Sequence, residues 1–146
     1  MAAADRPRVF LDTNVLVSGL YSVTAPPGAI LRLHADERIT IVVSQLVVDE
    51  LIRAIRRKLP DALPLLREFL LNTPPEVVPD PTGEEIQTFA GGVNRSDAPL
   101  LAAAVMAGVD YLVTGDSAFL REARRLEPGV PLATPRELLA RLQPES

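Results

Sequence analysis

The chain has 146 residues, 47% of them hydrophobic, and a formal net charge of −4. That length suits one domain with a proper core, and no segment stays apolar for the ~20 residues that a bilayer span needs. With no cysteine and a single histidine, disulfides, thiolate zinc sites, thiol catalysis and multi-histidine metal sites are excluded, and the acidic balance argues against broad electrostatic binding of nucleic acid.

The opening Met1-Ala2-Ala3-Ala4-Asp5 has neither a basic n-region nor an apolar h-region, so no signal peptide is expected, and the missing cysteines fit a cytoplasmic protein. Val9-Phe10-Leu11 reads as a buried strand that ends abruptly in Asp12-Thr13-Asn14, before a second apolar run, Val15-Leu16-Val17. Tyr21 falls in the loop after the first helix, and Pro26-Pro27-Gly28 forms a further loop leading into a helix over 29–35. Residues 39–43 are β-branched and apolar, as in a buried strand, and Ser44 caps a helix over 45–59 that stops before Pro60. A helix over 63–71 is broken by Thr73-Pro74-Pro75, Val77-Val78 is a short strand, and 83–90 is a helix that meets the Gly91-Gly92 turn. Ser96 caps a helix over 97–107, with Pro99 tolerated in its first turn and Gly108 as its stop. Strand 111–113, a helix over 117–126, a last strand over 130–133 and a helix opened by Thr134-Pro135 and running to Leu142 complete the chain. Short apolar strands alternating with helices predict an α/β fold: a three-layer α/β/α sandwich with a central parallel sheet, in one domain over 1–146 with its core at about 8–142.

Asp12 and Asp116 each stand at the carboxyl end of a buried strand, the edge where open parallel sheets bind ligands. Asp is also a frequent helix N-cap, but Thr13, Asn14 and Ser117 are on hand to cap, so neither aspartate is required for it. On the helix after the second strand, Val47, Leu51, Ala54 and Ile55 form the apolar arc, and Glu50 lies on its flank. Asp49 points nearly the opposite way and suits a solvent-side pair with Arg53. Asp97 shares a stripe with Leu101 and Ala104, which aims it inward over the same edge. Four carboxylates brought together raise one another's pKa, and a hard divalent cation, Mg²⁺ or Mn²⁺, resolves the conflict. Such a cluster with its metal can activate water against a phosphodiester.

The ordered set Val9-Phe10-Leu11-Asp12-Thr13-Asn14, Ser44 with Glu50, Asp97 with Leu101-Ala102-Ala103-Ala104, and Leu112-Val113-Thr114-Gly115-Asp116 resembles the PIN-domain ribonucleases, among them toxins of bacterial toxin–antitoxin systems. The resemblance spans 8–126. It implies a Mg²⁺- or Mn²⁺-dependent endoribonuclease acting on single-stranded RNA, with a cognate antitoxin and a homodimer as partners and no membrane. It maps catalytic and metal-binding roles onto Asp12, Glu50, Asp97 and Asp116, and site support onto Asn14 and Thr114. Some relatives carry an extra acid where this chain has Asn94, Ser96, Ser117 or Phe119, so one metal is expected in the free protein and a second with the substrate phosphate.

Basic residues flank three of the four acids: Arg53, Arg56, Arg57 and Lys58; Arg95; and Arg121, Arg124 and Arg125. Arg57, Arg95 and Arg121 are the expected RNA contacts. His34 reads as a surface residue at a helix end, Tyr21 as a possible base platform, and Leu63, Leu66, Phe69 and Leu70 as core. The competing reading is a non-catalytic RNA- or protein-binding module on the same scaffold. A receiver or aspartyl-phosphate phosphatase fits poorly, because Lys58 lies far along its helix from Glu50 and Asn14 stands where a phosphatase wants Asp. No phosphate-binding glycine loop supports a nucleotide enzyme.

Overall fold

The computed structural model describes residues 6–142, so the N-terminal pentapeptide read above lies outside it. Among the described residues five short strands pair in parallel: β1 (Arg8–Leu11), β2 (Thr40–Ser44), β3 (Glu76–Val78), β4 (Tyr111–Val113) and β5 (Leu132–Ala133). The apolar runs of β1, β2 and β4 are buried, whereas the edge strand β3 leaves Glu76 and Val77 exposed. The order is β3-β2-β1-β4-β5, with Phe10 in register with Val42 on one side and Leu112 on the other. Val9, Phe10, Leu11, Ile41, Val42, Val43, Leu112 and Val113 are all sealed from solvent, so β1 lies at the centre of the core.

Among the described residues eight α-helices cover this sheet: α1 (Thr13–Tyr21), α2 (Pro26–Ala35), α3 (Gln45–Lys58), α4 (Leu63–Asn72), α5 (Gly83–Gln87), α6 (Ala98–Ala107), α7 (Ser117–Leu126) and α8 (Pro135–Leu142). Right-handed crossovers put α1 to α4 on one face and α5 to α7 on the other. Helix α8 returns to pack on α2, α1 packs on both α2 and α3, and α5 packs on α6. The three-layer sandwich expected from the sequence is therefore the fold observed. Helix α6 carries only apolar side chains; its Leu101, Ala102, Ala103 and Ala104 are buried, while Met106 near its end is exposed. Gly108 ends it at φ 65°, a left-handed position that suits glycine. Arg8 ties that end down: its guanidinium spans Glu76 on β3 and the Ala107 carbonyl at 2.7 to 2.9 Å.

Several boundaries differ from the sequence reading. Helix α2 starts at Pro26 rather than 29, because both prolines fit a first turn whose amides have no intrahelical partner. Tyr21 is accordingly the last residue of α1, not a loop residue. Helix α5 ends at Gln87 instead of 90, since turns run on to the Gly91-Gly92 pair, and β5 pairs only over Leu132–Ala133. In the Leu63-Leu66-Phe69-Leu70 stripe, Leu66 and Phe69 enter the core, Leu70 packs against it and Leu63 stays at the surface. His34 lies in the last turn of α2 as expected, yet its ring is a half-buried link between elements.

Gly28 marks a close approach of backbone to backbone. A Cβ there would stand 2.5 Å from the Ser22 carbonyl oxygen and 2.6 Å from the Val23 backbone, which cannot swing aside as a side chain can. Gly28→Ala is expected to destabilise the fold by about 1–3 kcal/mol through overpacking, read as a lower denaturant midpoint at unchanged m-value.

Candidate active site

In an open parallel sheet a crevice forms at the carboxyl edge where the direction of strand succession reverses. Here the chain leaves β1 toward β2 but leaves β4 toward β5, so the reversal falls between β1 and β4. Leu11 is in register with Val113, and the residues that follow, Asp12 and Thr114, emerge side by side. Asp12 is gripped from two directions. Its Oδ1 accepts the Val15 amide at 2.9 Å, and its Oδ2 accepts the hydroxyl of the fully buried Thr114. The same Thr114 oxygen accepts the Asp116 amide at 3.1 Å, so one buried hydroxyl spaces both aspartates. Asp116 Oδ1 in turn accepts from the Ala118 and Phe119 amides at 3.0 and 3.1 Å.

Both aspartates are thus the N-caps of α1 and α7, the role the sequence reading left to Thr13, Asn14 and Ser117. Capping does not consume them, because an ionised carboxylate has about four acceptor sites. Asp97 occupies the N-cap position of α6 but makes no capping bond. Ser96 does not cap either: its amide and hydroxyl both bond to Asn94 Oδ1, at 3.1 and 3.0 Å, and this local turn diverts it. Asp49 likewise takes Gln45 Nε2 at 3.0 Å rather than Arg53. Glu50 is exposed on α3 and accepts the Thr13 hydroxyl at 3.1 Å.

All four predicted acids line one open cleft of about 420 Å³. Asn14 lines it too, exposed at its rim, whereas Thr114 supports it from beneath. Arg53, Arg57 and Lys58 form a basic wall on α3, while Arg95 and Arg121 are exposed outside the lining. Tyr21 stands at the far end of α1 from the cleft and does not line it. Sequence reasoning missed two residues. Thr13 was weighed only as a cap, although its place beside Asp12 puts it on the same edge. Glu122 bears on Asp97 from the next turn of α7 beyond Phe119, which helical periodicity would have placed there.

Burial raises the Asp12 carboxyl above its ordinary range, the Thr114 hydroxyl pulls it partly back, and the Asp116 charge raises it further. Asp97 is raised by burial first, then by Asp116, Glu122 and Asp12. A folded-state pKa above the unfolded value means stability that is present in acid and lost as pH rises through the folded value. At neutral pH the cleft therefore costs the fold free energy. Asp97→Asn loses no capping bond and should raise the melting temperature at pH 7 by about 1–3 °C, a gain that fades below the ordinary carboxylate range. Calorimetry at the two pH values checks the sign.

An all-oxygen anionic donor set whose members repel one another fits a hard divalent cation in kind. Among the described residues, no three acidic or histidine side chains come close enough to ring an ion, so the donors share a cleft rather than a preformed cage.

A family model described as PIN domain matches residues 8–118. No curated protein matches the chain. Among solved structures, PAE2754 from Pyrobaculum aerophilum aligns with a TM-score of 0.63 at 20% identity, over 97% of this chain and 96% of that one. VapBC2 from Rickettsia felis, bound to a DNA fragment from its promoter, aligns at 0.62 and 20% identity, over 87% and 98%. FitAcB from Neisseria gonorrhoeae aligns at 0.59 and 18% identity, over 88% and 98%. At such identities these likenesses speak for the fold.

Proposed function

Since the chain belongs to the PIN-domain family, we propose that it is a divalent-metal-dependent endoribonuclease that cleaves single-stranded RNA, the toxin of a toxin–antitoxin pair. The observation that carries this reading is the meeting of Asp12, Glu50, Asp97 and Asp116 in one cleft, from four segments spread over more than a hundred residues. These four carboxylates would hold Mg²⁺ or Mn²⁺, which when bound would supply an activated water and stabilise charge on the phosphate. Thr114 fixes the separation of Asp12 and Asp116, and Asn14 presents an amide at the rim. Arg57, with Arg53 and Lys58, offers cations to the RNA backbone along one wall, and Arg95 and Arg121 take phosphates beyond the cleft. The basic wall is local, so it is compatible with a chain of net charge −4.

The toxin assignment draws on the sequence resemblance and on the fold shared with VapBC2 and FitAcB; it brings a cognate antitoxin, a homodimer and a cytoplasmic setting. No helix among the described residues is long and apolar enough to cross a membrane. The test is incubation with a single-stranded RNA and Mg²⁺ or Mn²⁺, which should give internal cleavage products that chelation with EDTA suppresses. The absence of a preformed cage favours one second reading, a module that binds RNA without cutting. Metal-insensitive RNA binding without turnover over long incubation would establish it instead.

A further inference from the structure

We infer that Thr13 is a positioning residue of the cleft, whose hydroxyl sets the orientation of Glu50 toward a divalent cation; the inference rests on the nuclease reading above. The four acids are not held alike. Asp12 and Asp116 are fixed by backbone amides at the starts of α1 and α7, and Thr114 braces Asp12. Glu50 has no such support. It projects from the flank of α3, in the second turn of that helix, and is exposed. The one side-chain hydrogen bond of Glu50 among the described residues is from Thr13 Oγ1 to Oε1.

A free glutamate side chain loses substantial rotamer freedom when a ligand orders it. A carboxylate already bonded at Oε1 has paid part of that cost and leaves Oε2 without a protein donor. Thr13 suits the task because a β-branched side chain is stiff at χ1 and its residue is anchored by the cap at Asp12. The contact also runs between α1 and α3, so it ties Glu50 on α3 to the start of α1, next to Asp12. Glu50 is an exposed side chain on a helix flank with no backbone amide to fix it, so its alignment is a step for which a supporting hydroxyl matters.

The test compares wild type, Thr13→Val and Thr13→Ser. Two quantities are measured without RNA: Mn²⁺ affinity by calorimetry, and the Glu50 χ1 rotamer by three-bond couplings in the metal-free protein. Thr13→Val keeps shape and removes the donor; it should weaken Mn²⁺ binding by about 10–100-fold and average the Glu50 rotamer. Thr13→Ser should restore both. Wild-type Mn²⁺ affinity in Thr13→Val, or an unchanged single Glu50 rotamer, overturns the inference alone. A wild-type chain that binds no Mn²⁺ overturns the nuclease reading and the inference with it.

Discussion

Asp12→Asn is expected to lower the rate of RNA cleavage by about 10²–10³-fold while the protein stays folded. Asparagine caps a helix as well as aspartate does, so the bond from the Val15 amide survives and α1 should start where it does now. What disappears is one negative charge at the point where β1 and β4 deliver their carboxyl ends. If that charge holds a divalent cation, its removal costs several kcal/mol of charge stabilisation in the transition state, and each ~1.4 kcal/mol is tenfold in rate. The folding term has the opposite sign. Burial and Asp116 make ionised Asp12 costly at neutral pH, and the amide is spared that cost, although the Thr114 hydroxyl loses its charged acceptor. Rate constants on a single-stranded RNA at saturating Mn²⁺, set beside thermal unfolding of the same preparation, separate the two effects. Cleavage at the wild-type rate would remove Asp12 from the chemistry, and lost activity with lost folding would make it a cap and nothing more.

The strands and the order of elements were legible because the fold depends on apolar periodicity, which is a property of the chain itself. Val9-Phe10-Leu11 and 39–43 carry no polar alternation, and a sheet covered on both faces is the structure that accepts them. The site was legible in part for the same reason, since a parallel sheet brings the residues after β1 and β4 to one edge whatever they are. Failures came where short-range hydrogen bonding chooses among neighbours. Asn94 captured Ser96, Gln45 captured Asp49, and Asp12 and Asp116 took caps assigned to residues beside them. Each of those choices is between groups of similar strength one to four residues apart, and local side-chain hydrogen bonding, which spacing alone does not rank, makes the decision. Thr13 to Glu50 is a different case, a contact across 37 positions that no local pattern encodes. The tightness of the cleft is also beyond sequence: periodicity places carboxylates on faces, but the approach of α3 to α1 decides whether they close around an ion.

His34→Ala should destabilise the fold by about 3 kcal/mol without touching the cleft. Its Nδ1 receives the Ile41 amide at 3.0 Å, and an amide can only donate, so the ring proton sits on Nε2. Nε2 then donates to the Thr73 carbonyl at 2.9 Å and leans on Pro74 at 3.2 Å, while the ring meets Phe69 edge-on with centroids 5.9 Å apart. One side chain thereby joins the end of α2, the start of β2 and the segment leading from α4 into β3. Alanine leaves the Ile41 amide without its partner, which costs about 1–3 kcal/mol, and forfeits an aromatic contact of about 0.5–1.5 kcal/mol. For a chain of this size the melting temperature should fall by roughly 10 °C. His34→Asn offers a discriminating control, because its amide oxygen can stand where Nδ1 stood and take back the Ile41 amide, recovering about 1 kcal/mol. An asparagine variant no more stable than the alanine one would mean that packing against Phe69, not the hydrogen bonds, is what His34 contributes. Cleavage measured well below both melting points should stay at the wild-type rate, since no residue of this link lines the cleft.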